Sequence, residues 1–310
     1  MGRLSFSLDP APPFRLDLTV WAIRRRPENE IDRWDGETYE RVLAVQNTPV
    51  LVRVTQSRSA STPRLDVTVT AAHLPPDAKT TVVTALERLL GLRANLSSFY
   101  ALAAEHRRLR ELASRFKGLK PPRFPTVWES LVNAIACQQF SLRVGILFLN
   151  RLAALCGLPF GEDGAPRAFP RPEDLARAAP QSLRALGFNA AKSRTLIGLG
   201  KEITSGQLNL ESLADSDNQE ATARLLELPG VGRWTAEYVL LRGMGRVDVF
   251  PGDDVGARNN LARWLRLRKP LDYGRVMRVT GKWRPYGGLV YFHLLLDGLE
   301  RAGYLRPDDA

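Results

Sequence analysis

Apolar and polar residues alternate in three segments of the first third of the chain. The apolar positions are Phe14, Leu16, Leu18 and Val20, then Val50, Val52 and Val54, then Leu65, Val67 and Val69. A period of two residues is typical of strands that bury one face and expose the other. The pattern therefore predicts a small antiparallel sheet that includes all three segments.

Helical spacing replaces this alternation before residue 118. One helix is predicted around Val82 to Leu90, and a second through residues spaced three or four apart: Phe99, Leu102, His106 and Leu109. We expect both helices to cover the sheet, so that residues 1–118 form an α+β domain. The boundary follows at Lys120–Pro125, because adjacent prolines remove backbone donors and disfavour helix before them.

Residues 122–306 have helical periodicity and are predicted to form a second, all-α domain. Thr126 and Ser141 are suited to cap two helices, with Glu129 completing a capping box at the first. Further helices are predicted at 174–186 (as one or two pieces), 190–204, 217–227 and 234–242, with a loop rich in proline, glycine and charge at 159–171. Short helices are expected to continue to Tyr304.

The most distinctive segment of the helical region reads LPGVGRWTAEYVLLRGMGRVDVFPGDD, from Leu228 to Asp254. Gly230 and Gly232 lie between two predicted helices, where backbone amides can turn outward and bind an anion such as a DNA phosphate. Such a contact positions a nucleic acid without reading its sequence. A turn that needs glycine only for packing is the alternative.

The charge balance favours a polyanionic partner. The 310 residues include 44 Lys+Arg against 33 Asp+Glu, a formal net charge of +11. Only seven of the cations are lysines, and the planar guanidinium of arginine suits phosphate oxygens. Nucleic acid is therefore the first candidate partner, although a coding bias toward arginine would give the same composition.

Composition disfavours transition-metal chemistry and a membrane location. Cys137 and Cys156 are the only cysteines, too few for a four-thiolate zinc or iron–sulfur site, and we expect both thiols to be reduced and structural. The three histidines, His73, His106 and His293, are dispersed. No apolar run reaches the ~20 residues of a membrane helix, and the N terminus lacks an export signal, so a cytoplasmic, nucleoid-associated protein is expected.

The segment Leu-Pro-Gly-Val-Gly-Arg-Trp-Thr-Ala resembles the helix–hairpin–helix of DNA repair glycosylases, and Val249–Asp254 resembles the Gly/Pro-rich loop and aspartate of the same HhH-GPD superfamily. The resemblance implies a hairpin unit at 225–242, a catalytic aspartate after residue 250, and two helical subdomains with the active-site cleft between them. The DNA-binding hairpin residues would be Leu228, Pro229, Gly230, Val231, Gly232 and Arg233. The resemblance also implies a structural Na+ or K+ held by backbone carbonyls, those of Leu226, Leu228 and Val231.

Three aspartates are candidates for the catalytic carboxylate: Asp248, Asp253 and Asp254. In the family this aspartate precedes an apolar helix start and an Arg or Lys four residues on, which matches Asp254 with Val255 and Arg258. A carboxylate there would stabilise the positive charge that develops on the deoxyribose as the N-glycosidic bond breaks. Asp253 would be a helix cap or a neighbour, and without the resemblance both would be interpreted as caps.

Trp234 occupies the position where glycosylases that also cut the DNA backbone carry an attacking lysine. The resemblance therefore implies a monofunctional enzyme that uses water and leaves an abasic site. Trp234 and Tyr238 are one helical turn apart, so they can form one wall of a base pocket that attracts cationic alkylated purines. Core packing is the alternative interpretation of this pair.

The resemblance narrows to the 3-methyladenine DNA glycosylase II, or AlkA-type, branch. Lys282–Tyr286 resembles the C-terminal tryptophan motif of that branch, which implies that Trp283 lies beside the catalytic aspartate and the base. Gly287 and Gly288 stand where the branch commonly has Arg-Ser, and we expect this departure to loosen the loop or remove a phosphate contact. The similarity covers nearly the whole chain, but only the hairpin and aspartate block is highly specific.

A glycosylase that extracts a base usually fills the gap with a side chain. The segment Cys137–Leu142 resembles the family's wedge, with Gln139 inserted and Phe140 beside it; an ordinary turn between helices is the alternative. Cations crowd the region after the hairpin: Arg233, Arg258, Arg263, Arg266, Arg268 and Lys269. We expect this set, Arg258 included, to contact the DNA backbone, with a solvated charged face as the alternative.

The sequence thus predicts a monomeric base excision repair enzyme that flips alkylated bases such as 3-methyladenine out of double-stranded DNA and hydrolyses their N-glycosidic bond. No cofactor is required and no iron–sulfur cluster is expected. The second hypothesis is a helix–hairpin–helix DNA-binding or damage-sensing protein without turnover, which would need the hairpin and cations but not Asp254. A glycosylase–lyase for oxidised bases is disfavoured by the missing hairpin lysine.

Overall fold

The computed structural model describes residues 1–162 and 166–305. A five-stranded antiparallel sheet forms near the N terminus from β1 (Gly2–Leu8), β2 (Arg33–Trp34), β3 (Tyr39–Val45), β4 (Thr48–Gln56) and β5 (Leu65–Ala71). The strand order is β1-β5-β4-β3-β2. The predicted strands at 50–54 and 65–69 are confirmed as β4 and β5, and the α+β fold class is confirmed.

Helices make up most of the rest of the described chain. They are α1 (Leu16–Arg24), α2 (Ala78–Leu89), α3 (Ser97–Glu105), α4 (Arg107–Arg115), α5 (Val127–Cys137), α6 (Leu142–Cys156), α7 (Pro172–Ala176), α8 (Pro180–Ala185), α9 (Ala190–Thr204), α10 (Asn218–Glu227), α11 (Arg233–Arg242), α12 (Val255–Trp264), α13 (Tyr273–Thr280) and α14 (Gly287–Arg301), with 3-10 turns at Glu211–Asp215 and Gly281–Trp283. The predicted helix through His106 is two helices that meet at that residue, because its backbone is extended. The predicted division into a domain of residues 1–118 and a domain of residues 122–306 stays a prediction. The last residue of the second range, 306, lies outside the described residues.

The predicted first strand is wrong, because residues 16–24 form helix α1. Leu16, Val20 and Ile23 pack into the core under the sheet, whereas Leu18 and Ala22 pack into the core of the C-terminal helices. Each set has helical spacing, and the two faces together place apolar residues at every second position. Burial on two sides therefore imitates the alternation of a strand.

Helix α5 begins at the predicted cap, but its capping box is only half formed. The Thr126 hydroxyl accepts a hydrogen bond from the Glu129 amide at 3.0 Å. The Glu129 carboxylate does not return to the cap, because it receives the Arg41 guanidinium at 2.5 and 2.6 Å instead. Arg41 also donates to Asp32 at 2.7 Å. This buried cluster ties strand β3 to the first helix of the C-terminal region.

No helix within residues 1–162 and 166–305 is long and apolar enough to cross a membrane.

Candidate active site

A cleft of about 1070 Å³ lies where the N-terminal and C-terminal elements meet. Its walls come from the end of α1, the loop between α5 and α6, the hairpin before α11, α11 itself, the start of α12, and α14. The volume of the cleft slightly exceeds the ~300–1,000 Å³ typical of small-ligand sites. The walls are thus supplied by elements far apart in sequence.

Asp254 lies in this cleft at the N-terminus of α12. Its Oδ1 accepts the Ala257 amide at 2.8 Å, which makes Asp254 the helix cap. Its Oδ2 faces the Trp234 indole N–H at 3.4 Å. The interpretation of Asp254 as a cap and its interpretation as a site residue are therefore both compatible with the geometry, since capping uses one oxygen and leaves the other toward the cleft.

Glu237 forms a hydrogen bond to the loop that carries Asp254. The Gly252 amide donates to one carboxylate oxygen of Glu237 at 2.9 Å, and the Tyr273 hydroxyl donates to the other at 2.7 Å. Burial raises the pKa of Glu237, although these two donors oppose the rise. A Cβ at position 252 would come within 2.7 Å of the Met277 and Tyr273 side chains, so any other residue there would require these side chains to move.

Asp253 does not cap a helix. Its carboxylate pairs with the Arg233 guanidinium at 2.6 Å, and that guanidinium lies 3.8 Å from the centroid of the Tyr273 ring. Of the two interpretations offered for Asp253, the cap is wrong and the neighbour is right. This ion pair links Arg233, the first residue of α11, to the loop that carries the aspartates. Arg233 therefore lies at the predicted DNA surface already paired with a carboxylate.

The predicted base wall is only partly assembled. Trp234 and Tyr238 line the cleft with ring centroids 5.5 Å apart. Trp283 does not join them: it is 1 % exposed, lies outside the cleft lining and packs on Trp264 at 5.4 Å. The implied position of Trp283 beside the aspartate and base is therefore wrong, because the 3-10 turn at its position turns the indole into the helical core.

Tyr291 lines the cleft and was not predicted from the sequence. It lies on α14, and burial followed by the negative charge of Asp254 raises the pKa of its hydroxyl. Its ring meets Phe250 edge-on at 5.9 Å. The sequence shows Tyr291 only as one more apolar residue of a helix, and no local signal distinguishes it.

Arg25 was also missed, although it lines the cleft and anchors its aromatic wall. Its guanidinium donates to the Tyr238 hydroxyl and to Asn133 Oδ1, both at 2.9 Å, and the Tyr238 hydroxyl donates to the same Asn133 oxygen at 2.8 Å. Arg25 ends α1 in the left-handed conformation, with φ +62°. A residue at the end of α1 thus fixes the orientation of an aromatic ring on α11.

The hairpin presents the turn expected of it. Leu228 ends α10, the Val231 amide donates to the Leu228 carbonyl at 3.1 Å, and Gly230 has φ +73°, which favours glycine. Pro229, Gly230, Gly232 and Arg233 are exposed, and Val231 is buried beneath them. The first amides of any α-helix lack an acceptor within the helix, so those of α11 face outward beside the exposed glycines.

The predicted wedge loop joins α5 to α6 and lines the cleft. Gln139 is exposed with φ +62°, a left-handed conformation that is uncommon outside glycine. Phe140 is 42 % exposed and meets Phe148 edge-on at 5.1 Å. Gln138, which was not predicted, donates from Nε2 to the Gly230 carbonyl and to Thr235 Oγ1, both at 2.9 Å. The wedge loop and the hairpin are therefore one connected surface.

Gly287 and Gly288 do not loosen their loop. Both are buried at the start of α14, and a Cβ at position 288 would lie 2.5 Å from Leu241 and within 2.9 Å of the Val247 and Val249 carbonyls. The expectation of a looser loop is wrong, because glycine here allows α14 to pack directly on the segment that precedes the aspartate. A serine at position 288 would not fit without movement.

The predicted cations are only partly gathered at the cleft. Arg233 and Arg263 line it, whereas Arg258 is half-buried on α12 and outside the lining. Among the described residues that line the cleft, none is a lysine. The described residues also contain no group of three or more His, Cys, Asp or Glu side chains that could hold a metal ion.

Comparison with known proteins matches the same two regions. Residues 132–285 match the HhH-GPD superfamily base excision DNA repair protein model, and residues 5–128 match the AlkA N-terminal domain. The chain is 26% identical over 290 residues to DNA-3-methyladenine glycosylase 2 of Escherichia coli, which covers 93% of this chain and 96% of that one. It is 26% identical over 214 residues to DNA-3-methyladenine glycosylase of Bacillus subtilis, covering 69% and 71%.

A solved structure, 3-methyladenine DNA-glycosylase from Archaeoglobus fulgidus, superposes with a TM-score of 0.81 and 23% identity over 97% of this chain and 100% of that one. A helix–hairpin–helix beside a cleft with one capping aspartate thus belongs to a known class of DNA repair fold. The chain belongs to the HhH-GPD superfamily of base excision DNA repair proteins, in its AlkA-type, or 3-methyladenine DNA glycosylase II, branch.

Proposed function

We propose that this protein is a monofunctional DNA glycosylase that hydrolyses the N-glycosidic bond of flipped-out alkylated bases in double-stranded DNA and leaves an abasic site. The observation that carries the proposal is the environment of Asp254, whose Oδ2 faces Trp234 in a cleft with a second aromatic, Tyr238, and with no lysine among its described lining residues. Relatives named for 3-methyladenine excision support the substrate class.

Asp254 supplies fixed negative charge where positive charge develops on the sugar. The Ala257 amide holds its Oδ1 at 2.8 Å, and the N-terminus of α12 places partial positive charge beside the carboxylate. Because the oxygen is already oriented, little reorganisation is needed in the transition state, and such preorganised groups are commonly worth about 10²–10³ in rate. The same carboxylate can orient or deprotonate the attacking water.

Trp234 and Tyr238 hold the base by its face. Methylation at a ring nitrogen makes a purine cationic, and an aromatic face attracts a cation by ~0.5–2 kcal/mol. The bonds from Arg25 and to Asn133 keep the Tyr238 ring from rotating. A cationic base is also a better leaving group, so the site needs little further acid catalysis.

Gly230 and Gly232 anchor the DNA backbone while Gln139 fills the gap left by the flipped base. The exposed amides around the glycines suit a phosphate. The left-handed backbone of Gln139 directs its side chain out of the loop, beside the exposed ring of Phe140. Gln138 couples the two contacts through its bond to Gly230, so that phosphate binding and base extrusion occur on one rigid surface.

The end of α10 has the oxygen ligands that a Na+ or K+ would need. The last carbonyls of a helix lack intrahelical donors, and those of Leu226 and Leu228 fall in this group, followed by Val231 in the turn. The Leu228 carbonyl accepts the Val231 amide and retains a second lone pair. A bound cation would add positive charge beside the phosphate. Catalysis by Asp254 needs no cofactor.

The test separates base release from strand cleavage. Purified protein is incubated with DNA methylated at purine ring nitrogens; free base is quantified by chromatography, and nicks are counted with and without alkali. We expect base release, with nicks appearing only after alkali, and no covalent adduct on borohydride reduction. Binding without base release would show the non-catalytic alternative to be right. Nicks without alkali would show a lyase.

A further inference from the structure

A second cavity, of about 540 Å³, lies at the opposite end of α12 from Asp254. Its lining includes six arginines: Arg107, Arg108, Arg115, Arg263, Arg266 and Arg301. Only two carboxylates, Glu111 and Asp297, are part of the same lining. A concave surface with this excess of positive charge concentrates anions from solution.

The two carboxylates are already used by three of the arginines. Asp297 pairs with Arg115 and with Arg301, the latter at 3.0 Å, and Glu111 pairs with Arg107 at 3.1 Å. The other three have no carboxylate partner within residues 1–162 and 166–305.

Two of these three arginines donate a side-chain hydrogen bond, and in the described residues each acceptor is a neutral group. Arg108 donates to the Leu265 carbonyl at 2.9 Å, and Arg263 donates to Asn260 Oδ1 at 3.2 Å. Arg266 follows α12 in the left-handed conformation, with φ +57°. Three guanidinium charges, on Arg108, Arg263 and Arg266, therefore remain for an anion that the described chain does not supply.

The arginine cavity and the cleft share part of their lining. Arg263 lines both, and so does α14, which contributes Gly298 and Leu299 to the cleft and Arg301 to the cavity. The ten residues of α12 span about 15 Å. Phosphates of one DNA strand are spaced ~3.4 Å along the helix axis, so this distance corresponds to about four nucleotides. An extended polyanion matches the arrangement better than a small one, which would occupy the cavity without reaching the cleft.

We propose that the arginine cavity binds phosphates of the DNA backbone flanking the flipped nucleotide, through Arg108, Arg263 and Arg266. The inference rests on the proposed function. It gives the N-terminal region a part in DNA binding, because Arg108 belongs to α4, which precedes the predicted domain boundary. These contacts add affinity that depends on salt, and they leave the chemistry at Asp254 unchanged.

The test compares two double variants that lose the same charge. Arg108→Gln/Arg266→Gln removes two free cations of the cavity, and Arg3→Gln/Arg58→Gln removes two exposed arginines that line neither cavity. Affinity for a duplex with one abasic site, the proposed product, is measured by fluorescence anisotropy over a range of salt concentrations. We expect the slope of log K against log salt to fall by about 2 for the cavity variant, since each phosphate contact contributes about 0.9, and to change far less for the control.

Three further measurements separate the possible outcomes. Arg108→Lys/Arg266→Lys keeps both charges and should retain most of the slope. Shortening the duplex on one side of the lesion to fewer than about four base pairs should abolish the difference between wild type and cavity variant. For Arg108→Gln/Arg266→Gln, the enzyme concentration that gives half-maximal single-turnover excision should rise, and the rise should shrink as the salt concentration increases.

Equal slopes for the cavity variant and the control would overturn the inference and leave the proposed function standing. A defect of the same size on every duplex length would also overturn it. Failure of the wild type to bind DNA at all would overturn both. Thermal unfolding of each variant shows whether a change in slope reflects binding or a loss of folded protein.

Discussion

Asp254 uses its two carboxylate oxygens differently, one for α12 and one for the cleft. Asp254→Asn keeps an oxygen that can accept the Ala257 amide, and asparagine caps helices as well as aspartate does. It removes the negative charge. We therefore expect base release to fall by at least about 10²–10³ while the melting temperature changes little. Single-turnover chromatography of released base measures the first, and calorimetry the second.

Asp253→Asn is the matched control, because it removes a neighbouring charge that pairs with Arg233 and does not face Trp234. Its rate should stay within a small factor of the wild type. Equal losses of rate in the two variants would mean that the net charge of the loop, and not Asp254 in particular, supports catalysis.

His293 makes the stability of the protein depend on pH. It is fully buried on α14, its Nδ1 lies 2.7 Å from the Leu289 carbonyl, and burial lowers the pKa of the imidazole to about 4. The unfolded chain takes up a proton near pH 6.5, whereas the folded chain does not. Stability contributed by the neutral ring is therefore complete above about pH 6.5 and is lost progressively as the pH falls toward 4.

His293→Gln should remove this dependence, since glutamine does not titrate. Urea unfolding of both proteins from neutral to acidic pH gives the difference in unfolding free energy. That difference should shift in favour of the variant by up to about 3 kcal/mol between pH 7 and 4, from ~1.36 kcal/mol per pKa unit. A constant difference would mean that the imidazole has the same pKa in the folded and the unfolded protein.

At the residue scale, the sequence predicts the cleft residues that lie within one local motif. It misses those that reach the cleft only through the packing of distant segments. Asp254, Trp234 and Tyr238 lie within one motif, and all three line the cleft. Trp283 also belongs to a motif, but its direction depends on how α12 packs against it, and its ring meets Trp264 instead. Apart from its neighbour Arg26, Arg25 is distant in sequence from every other described residue that lines the cleft, so only the folded chain shows its role.

The loop between α5 and α6 acts as one element with the hairpin, through the bonds of Gln138 to Gly230 and Thr235. Gln139→Ala should slow excision from paired duplex by about tenfold, because the variant no longer compensates part of the few kcal/mol needed to unstack a base. Excision from single-stranded DNA of the same sequence should be nearly unchanged. The ratio of the two single-turnover rates is the quantity to measure.

Phe140→Ala serves as the comparison, since its ring packs on Phe148 and under the Lys192 amine at 4.5 Å. If Phe140→Ala changes the ratio of duplex to single-strand rates and Gln139→Ala does not, the inserted residue is Phe140. No change in either variant would leave the loop an ordinary turn.

At the element scale, helices with their own caps were predicted well. Helix α9 begins and ends at the predicted residues, 190 and 204, and Asn189 and Ser141 cap their helices through side-chain oxygens. Helix α1 was predicted as a strand, because it is buried between two cores and its apolar positions belong to both. A periodic pattern of apolar residues distinguishes a helix from a strand when one side of the segment is buried. When two sides are buried, as in α1, the combined pattern no longer identifies the type of element.

Two of the buried contacts that join the two parts of the molecule come from arginines of the N-terminal part. Arg25 reaches from the end of α1 to Tyr238 and Asn133, and Arg41 reaches from β3 to Glu129 on α5. The first joint lies in the wall of the cleft. Movement of the N-terminal part relative to the C-terminal helices would therefore disturb Tyr238, the aromatic proposed to hold the base. This is a physical reason for an AlkA-type N-terminal region to accompany the proposed catalytic one.

The Arg41 joint can be tested by its pH dependence. Arg41→Ala leaves Asp32 and Glu129 buried without their counter-ion, and breaking a buried pair in this way costs about 3–5 kcal/mol. Burial raises the pKa of Glu129, and Arg41 opposes that rise, so the pKa should rise further in the variant. The folded variant then holds a proton that the unfolded chain releases, and its stability falls as the pH rises.

The deficit of Arg41→Ala relative to wild type should therefore be largest near pH 8 and smaller near pH 5, where Glu129 is more easily protonated. Subtracting the wild type at each pH removes the contribution of His293, which both proteins share. Arg53→Ala, which loses an exposed arginine from β4 and its pair with Glu40, should show a small deficit at every pH. A deficit for Arg41→Ala that is independent of pH would mean that lost packing of the arginine, and not the uncompensated carboxylates, destabilises the joint.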